Sequence, residues 1–333
     1  MRLDFIRPLY EHRGPYASVY VAGLTGPERE ARWKSLRDQL PQAEPETLDA
    51  LEEAAGEPGP GCALFAAHGR VVLSEAFRTP PPELAQWTPL PRVTPMLMLR
   101  GENVPHLRVI VDNAGAELTA FGGGSARTAA VGAVSWPLQK TAQGGWSQKH
   151  YERESWERDA TAVAHEIDEQ LWRIGAELVV VAGEPRSRSM LCDHLGTKAA
   201  DRVMMVEHGS RADHGGFERD VETALDSWLD RRRTELLDRF RAAEGPFGLA
   251  RVGHALREGR AQAVLVPGEL PARVWVGRGA TQLSTDAGEL RAWGVELPER
   301  ERADSAIARA AAMTDAELWI CPELSDVAAV LRY

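Results

Sequence analysis

Apolar residues recur at helical spacing through the middle of the chain. Trp156, Ala160, Val163, Ile167, Leu171 and Ile174 follow one another at intervals of four, three, four, four and three residues. Such intervals bring side chains to one face of an α-helix. The pattern predicts a long helix with one buried face in this part of the chain.

The first part of the chain alternates strand and helix patterns. Tyr16 to Leu24, "YASVYVAGL", has the β-branched and aromatic density of a strand. A helix is predicted after Pro27, with Trp33, Leu36 and Leu40 at helical spacing, and a second one over residues 48–56. Residues 61–77 read as two strands that turn at His68-Gly69.

The central part predicts a sheet with helices packed on it. Residues 107–124 read as a strand, a turn at Asn113 to Gly115 and a returning strand. After the long helix come an apolar strand pattern at 177–184, a helix at 187–196 and a strand at 202–208. Strands that alternate with helices indicate an α/β layer structure.

The last part predicts another α/β block. A helix carrying Leu225, Leu229, Leu236, Leu237 and Phe240 extends to about residue 243, and strand and helix patterns alternate from there to residue 333. Two breaks separate the blocks: the proline-rich residues 78–95, which predict irregular structure, and the glycine-containing loop 209–216. We therefore expect an α/β (α+β) fold with three domains, at residues 1–95, 96–212 and 213–333.

Composition narrows the class of protein. With 44% hydrophobic and 26% charged residues and no apolar run long enough to cross a bilayer, the chain predicts a soluble protein rather than a membrane protein. The first residues lack the pattern of a secretory signal, so a cytoplasmic location is expected. A net charge of −10 argues against broad attraction to nucleic acid, and no DNA partner is predicted. Cys62, Cys192 and Cys321 are too few and too far apart for a disulfide framework.

Several histidines and carboxylates near predicted loops are candidate metal ligands. These are His194, His208 and His214, with Asp193 and Asp213 beside two of them. Their spacing matches no compact ligand set such as HxxxH or HExxH on a helix. No metal and no cofactor are therefore predicted.

Three further motifs have a structural and a functional interpretation. Asp112 ends a strand in a block compatible with a ribonuclease H-like fold, where carboxylates hold magnesium, but it also fits the turn "DNAG". The segment 121–126, "FGGGSA", lacks the lysine-serine pair of a phosphate-binding loop. The arginines within residues 229–241 alternate with carboxylates, which favours surface ion pairing over phosphate binding.

The segment 131–150, predicted to be a loop, contains an unusual set of side chains. Trp136, Lys140, Trp146, Lys149 and His150 lie among glycine, glutamine and serine residues that do not build a core. Aromatic side chains beside cations can stack on unpaired bases and contact phosphates. The alternative is a tryptophan that folds back onto its own domain.

These segments together resemble a known family. "VIVDNAGAELTAF", "GGWSQKHYERESWERDA" and "GHALREGRAQAVLV" resemble the bacterial archaeo-eukaryotic release factor family, within the class I release factor and Pelota superfamily. Balon-type ribosome hibernation factors belong to this bacterial branch. The resemblance covers residues 100–333 and, more vaguely, the N-terminal block.

The resemblance implies a fold and a set of partners. It implies an N-terminal domain at the decoding region, a release-factor middle-domain-like central domain entering the peptidyl transferase centre, and an L7Ae-like C-terminal domain. The implied partners are the ribosome, through its RNA, and a translational GTPase such as elongation factor Tu.

The chain departs from the termination factors of the superfamily at one position of their Gly-Gly-Gln tip. Gly144 and Gly145 match the two glycines, but Trp146 stands where glutamine is expected. An indole has one donor and no acceptor, so it cannot order a hydrolytic water as a carboxamide does. No catalytic residue is therefore predicted. The predicted ribosome-binding loop consists of Trp136, Lys140, Gly144, Gly145, Trp146, Ser147, Gln148, Lys149 and His150.

The predicted function is that of a non-catalytic factor that occupies the ribosomal A site during hibernation or stress. Two alternatives stay open. A peptidyl-tRNA hydrolase or ribosome-rescue factor would use the backbone amide at position 146 to stabilise an oxyanion. A stress-linked adaptor would act through the C-terminal domain alone.

Overall fold

The structure, a computed structural model, describes residues 1–12, 14–23, 28–56, 60–77, 79–101, 104–112, 115–121, 129–135, 147–208 and 214–333. By their contacts the residues form two compact units. One, here called the composite unit, combines Met1–Glu102 with Arg233–Tyr333, and the other, the central unit, is Asn103–Arg232. We call the two parts of the composite unit the N-terminal block and the C-terminal block.

The N-terminal block is built on one antiparallel sheet. Its strands are β1 (Tyr16–Ala22), β2 (Gly61–Ala67), β3 (Arg70–Phe77) and β4 (Leu84–Thr88), in the order β3-β2-β1-β4. A 3₁₀ turn at Asp4–Ile6 precedes the helices, which are α1 (Pro8–Glu11), α2 (Glu28–Arg37), α3 (Pro45–Ala54) and α4 (Thr94–Arg100). The predicted turn between β2 and β3 is confirmed, because His68 and Gly69 both have positive φ, at 51° and 74°.

Alternate residues of this sheet enter two different cores. Val19 and Leu64 pack with Leu36 and Leu51 of α2 and α3. The neighbouring Tyr20 and Phe65 belong to a second core on the opposite face. Successive side chains of a strand point to opposite faces, so this sheet is buried on both sides.

The prediction of irregular structure across residues 78–95 was wrong for part of that stretch. Residues 84–88 form β4, which pairs antiparallel with β1 from Tyr16↔Thr88 to Tyr20↔Leu84. The prolines at 80–82, 89 and 91 flank the strand, and β4 lies at the edge of the sheet. An edge strand tolerates prolines close by, because one of its sides forms no ladder hydrogen bonds.

The central unit contains a five-stranded mixed sheet with the order β7-β6-β5-β8-β9. The antiparallel part is β5 (His106–Asp112), β6 (Gly115–Phe121) and β7 (Ala129–Ser135), and β8 (Leu178–Gly183) and β9 (Val203–Met205) continue parallel to β5. The helices are α5 (Ser147–Ile174), α6 (Pro185–His194), α7 (Thr197–Ala200) and the first part of α8 (His214–Ala242). The predicted sheet with packed helices is confirmed. The ribonuclease H-like assignment stays a prediction.

Helices cover both faces of the central sheet. Leu107, Val109 and Val111 of β5 pack against Val163 and Ile167 of α5. On the other face, Ile110 and Val180 pack with Phe217 and Val221 of α8. The face of α5 predicted from the spacing is therefore buried from Ala160 to Leu171, and the side chain of Trp156 lies outside the described part.

The C-terminal block has two three-stranded sheets, ordered β14-β10-β15 and β12-β11-β13. Its strands are β10 (Ala261–Val266), β11 (Arg273–Val276), β12 (Leu283–Ser284), β13 (Glu299–Arg302), β14 (Glu317–Ile320) and β15 (Ala328–Leu331), and its helices are α9 (Leu249–Arg257), α10 (Ala287–Ala292) and α11 (Ala303–Met313). The L7Ae-like assignment of this block stays a prediction. Among the helices of the described residues, none combines the length and apolar character needed to cross a bilayer.

The two compact units divide the chain differently from the three predicted domains. Met96 and Leu97 of α4 share one core with Val252 of α9 and Ile307 of α11. Arg92 Nη2 also donates to Glu269 Oε2 across the two blocks, at 2.6 Å. The first and last blocks keep separate sheets but pack as one unit, and the divisions fall at residues 102/103 and 232/233.

Candidate functional site

The predicted ribosome-binding loop lies between β7 and α5 of the central unit. Trp136, Lys140, Gly144, Gly145 and Trp146 fall outside the described residues. The backbone of Ser147, Gln148, Lys149 and His150 forms the first turn of α5, and their side chains are also outside the described part. Whether the loop residues come together thus stays a prediction.

The extent of the predicted loop needs correction at both ends. Residues 131–135 belong to strand β7, which pairs antiparallel with β6. Residues 147–150 belong to helix α5. The sequence "AAVGAVS" of β7 has few β-branched residues, and pairing with β6 supplies the backbone hydrogen bonds that define the strand.

Helix α5 is held to the sheet through its C-terminal half. Ala160, Val163, Ile167 and Leu171 are buried. The helix ends at Ile174 and is followed by Gly175, with φ +62°; the amide of Ala176 donates to the Leu171 carbonyl at 3.1 Å, as in a Schellman cap. Residues 147–159 precede this anchored part and span roughly 20 Å of helix. The loop therefore adjoins the end of α5 that is farther from these contacts.

The described part of the central unit contains a polar cluster that the sequence analysis missed. The rings of His106 and Phe121 stack with centroids 4.8 Å apart, and the Arg108 guanidinium lies 3.9 Å from the Phe121 centroid. Arg108 Nη1 contacts Glu218 Oε1 of α8 at 2.6 Å. Because Arg108 and Glu218 are 110 residues apart, no local sequence pattern indicates this contact.

Both ring nitrogens of His106 are engaged. Nδ1 donates to the Val104 carbonyl at 2.8 Å, and Nε2 accepts from Arg108 Nε at 3.1 Å. Burial lowers the pKa of His106 below its ordinary value of 6.5, and the nearby Arg108 charge acts in the same direction, against the hydrogen bond to Val104. A neutral imidazole with no free nitrogen has neither a metal-binding nor a general-base role here. The cluster joins α8 to the sheet.

The burial of His106 predicts a pH dependence of stability. The unfolded chain binds a proton near pH 6.5 while the folded chain does not, so the central unit should lose stability as the pH falls below 6.5 through the lowered pKa. In urea unfolding between pH 7.5 and 5, the free energy of unfolding of the H106Q variant should fall less with decreasing pH than that of the wild type. H165Q removes an exposed imidazole of the same unit and is the matched control. If both variants reduce the pH dependence of the free energy of unfolding equally, His106 is not its source.

His194 and His208, two of the candidate metal ligands, have other partners. His194 Nδ1 donates to the Met190 carbonyl at 2.8 Å. The backbone amide of His208 donates to Asp220 at 2.9 Å, and this hydrogen bond lowers the pKa of Asp220. The side chain of His214 and all of Asp213 lie outside the described residues. In the described ranges, histidines, cysteines and carboxylates nowhere form a group of three or more that could hold a metal ion.

The other sequence candidates are partly described. Asp112 ends β5, but its side chain is outside the described part, as are residues 122–126 of "FGGGSA". On α8, Arg241 pairs with Asp238 at 3.5 Å and Arg239 donates to Gln262 at 2.7 Å. The Arg241–Asp238 contact is the exposed ion pair that the sequence predicts, whereas Arg239 contacts a neutral amide. Cys62 and Cys192 are half-buried, Cys321 is buried, and none of the three forms a disulfide.

Comparison with known proteins places the central unit in a family. Residues 105–246 match the model of bacterial archaeo-eukaryotic release factor family 2. The whole chain is 31% identical over 366 aligned positions to Rv2629 of Mycobacterium tuberculosis, an uncharacterised protein of which 97% is covered.

Similar solved structures come from the Pelota proteins. Archaeal Pelota, in a ribosome-bound model with ABCE1, aligns with 99% of this chain and 94% of its own at 13% identity and a TM-score of 0.42. Archaeoglobus fulgidus Pelota aligns with 99% of this chain and 92% of its own at 12% identity and a TM-score of 0.33.

Proposed function

The chain belongs to the bacterial archaeo-eukaryotic release factor family, and we propose on that basis that it is a non-catalytic factor that binds the ribosome in the A site. The observation that carries the proposal is the position of Gly144-Gly145-Trp146 inside the matched residues 105–246. Release factors act in translation, so membership of this family supports a role with the ribosome. A-site occupancy, and a role in hibernation or stress, are the further steps that we propose.

The organisation of the central unit supports the use of this segment as a contact. Its two ends are the edge strand β7 and the helix α5, whose C-terminal half is anchored on the same sheet. A rigid sheet and helix that carry a connecting segment are the usual arrangement for a binding loop. Glycine at 144 and 145 lacks the Cβ atoms that would limit a close backbone approach to RNA.

The chemistry of Trp146 favours binding over hydrolysis. Its indole offers a large stacking surface and one donor, but no acceptor to orient a water molecule. Stacking on an unpaired base contributes about 1–3 kcal/mol. We therefore propose that the tip holds ribosomal RNA near the peptidyl transferase centre without releasing the nascent peptide.

Replacing Trp146 tests this contact. W146A should weaken binding to vacant ribosomes by roughly 5-fold to 150-fold, because one stacked base is lost. W172A is the matched control and should leave the affinity unchanged, since Trp172 lies outside the loop, on α5 of the same unit, and is 89% exposed. Co-sedimentation with ribosomes measures both affinities. Equal affinities for W146A and the wild type would contradict a stacking role, and absence of the wild type from ribosomes would overturn the proposal.

The hydrolase or rescue alternative rests on the retained glycine pair and the backbone amide at position 146. Adding purified wild-type protein to ribosomes that carry peptidyl-tRNA distinguishes the non-catalytic factor from the hydrolase. Release of the peptide would establish the hydrolase. We expect binding without release. Retention of elongation factor Tu in the ribosome complex tests the proposed GTPase partner in the same preparation.

The structure bears on the third possibility, an adaptor that acts through the C-terminal domain alone. Val252 and Ile307 of the C-terminal block share their core with Leu97 and Phe65 of the N-terminal block. Removing residues 1–102 would expose this apolar surface to water. We therefore propose that the two blocks function together.

A further inference from the structure

The C-terminal block contains a cleft that the proposed ribosome contact does not use. It has a volume of about 540 Å³ and lies between the end of α8, helix α9 and the strand β12. Clefts of about 300–1,000 Å³ with an apolar lining and a few polar groups are typical small-molecule sites. The cleft lies within the composite unit.

The lining of the cleft includes two arginines that have no carboxylate partner within the described part of the chain. Arg251 and Arg257 both line it. Arg257 is held with its guanidinium 4.0 Å from the Trp293 ring centroid. Within the described part of the chain, neither arginine has a carboxylate at ion-pair distance, whereas Arg260, also in the lining, pairs with Glu258 at 3.3 Å. Two uncompensated guanidinium groups at one cleft favour an anionic ligand, and their forked donors match a phosphate group.

The rest of the lining provides an apolar floor and two acceptors. Leu249, Leu283 and Leu331 form apolar parts of the wall. Glu244 and Glu289 also line the cleft, and the Ser284 hydroxyl donates to Glu289 Oε2 at 2.7 Å. Carboxylates repel a ligand that is acidic along its whole length, such as an acidic peptide. They accept hydrogen bonds from a ligand that carries hydroxyl or amino groups beside its anionic end.

A nucleotide combines the three properties that this lining requires. Its phosphate suits Arg251 and Arg257, its ribose hydroxyls and base amino groups suit the carboxylates, and its base suits the apolar wall. We propose that the cleft binds a nucleotide, with the phosphate held by Arg251 and Arg257. The nucleotide is either free in solution or an unpaired nucleotide of an RNA strand.

Isothermal titration of the full-length protein with adenosine 5′-monophosphate tests the proposal without ribosomes. The nucleotide should bind at least about tenfold more tightly than adenosine or inorganic phosphate, because each of these lacks one set of contacts. The double variant R251A/R257A should bind about tenfold more weakly or worse. R278A removes an exposed arginine of the same block that does not line the cleft and should leave the affinity unchanged.

A second variant blocks the cleft without removing charge. Ala250 lies in the first turn of α9, is exposed and lines the cleft, so A250W should fill the space and abolish binding while the protein stays folded. Absence of binding by the wild type, equal binding by R251A/R257A, or equal affinity for phosphate alone would overturn the proposal.

The same titration distinguishes the two sources of the nucleotide. A short single-stranded oligoadenylate that binds more than about tenfold more tightly than the monophosphate would identify RNA as the source. Equal or weaker binding of the oligonucleotide would identify a free nucleotide. Either result is independent of whether the Trp146 loop binds ribosomes.

Discussion

Substituting alanine for Gly183 is expected to destabilise the central unit by on the order of 4 kcal/mol. Gly183 ends β8 with φ +116°, which L side chains rarely adopt. A Cβ atom there would lie 1.8 Å from the Val111 carbonyl oxygen, and this oxygen already accepts a hydrogen bond from the Glu184 amide at 3.1 Å. Backbone strain of about 1–3 kcal/mol and overpacking of about 1–3 kcal/mol therefore act together.

G175A is the matched control for this substitution. Gly175 also has positive φ, at +62°, but a Cβ atom there would meet nothing within 4 Å. G175A should therefore lower the free energy of unfolding by only about 1–2 kcal/mol, through left-handed backbone strain. Urea unfolding followed by circular dichroism measures both, and hydrogen exchange should place the loss in β5 and β8. A cost for G183A no larger than that for G175A would contradict the steric explanation.

Removing the Asp304 carboxylate is expected to destabilise the composite unit by about 3–5 kcal/mol. The side chain of Asp304 is 2% exposed and accepts from Arg302 Nη2 at 2.6 Å and Arg302 Nε at 3.0 Å. It also accepts from the buried backbone amide of Leu270 at 3.1 Å. The hydrogen bond from Arg302 to Asp304 raises the pKa of Arg302, as expected when the carboxylate stabilises the guanidinium cation. D304A would leave the buried Leu270 amide without this partner and the largely buried Arg302 guanidinium with the partly exposed Glu269, at 3.3 Å, as its ion-pair partner.

The control for D304A is D286A in the same block. Asp286 is exposed and caps α10 by accepting from the Gly288 amide at 2.8 Å. Loss of an exposed N-cap should cost only about 1 kcal/mol. Thermal and urea unfolding of both variants give the comparison. If D304A and D286A lose the same free energy, the buried ion pair contributes no more than a surface cap.

Local patterns predicted the elements whose residues carry their own signal. The spacing of Val163, Ile167 and Leu171 predicts α5 and its buried face, and both are confirmed. The β-branched residues of β1 and the glycine turn after β2 are likewise found where the sequence placed them. In each case the signal lies within a few residues, so no knowledge of the rest of the chain is required.

Strands with weak local signals were missed. Residues 84–88 lie among prolines and residues 129–135 are mostly alanine, glycine and valine, yet both segments form strands at sheet edges. Their partners β1 and β6 provide the hydrogen bonds. A strand that depends on a distant partner shows its structure only once that partner is in place.

For the candidate sites, the sequence indicates which residue types could bind a ligand, and the structure shows which of them lie close together. The Gly-Gly-Trp motif and its family follow from residue order, and its contact with ribosomal RNA stays a prediction. No sequence pattern predicted the cleft, because Leu283 and Glu289 come close to Arg251 only in the folded protein. The cluster of Arg108, Phe121 and Glu218 was missed for the same reason.

The sequence by itself determined the α/β class, most of the helices and strands, and the family with its altered tip. Only the tertiary structure decided that the first and last blocks share one core, that both faces of the central sheet are covered, and that a cationic cleft exists. The physical reason is the separation along the chain over which each kind of interaction acts. Propensity and periodicity act over a few residues, whereas burial and ion pairing depend on residues such as Arg92 and Glu269, which are 177 positions apart in the chain and 2.6 Å apart in space.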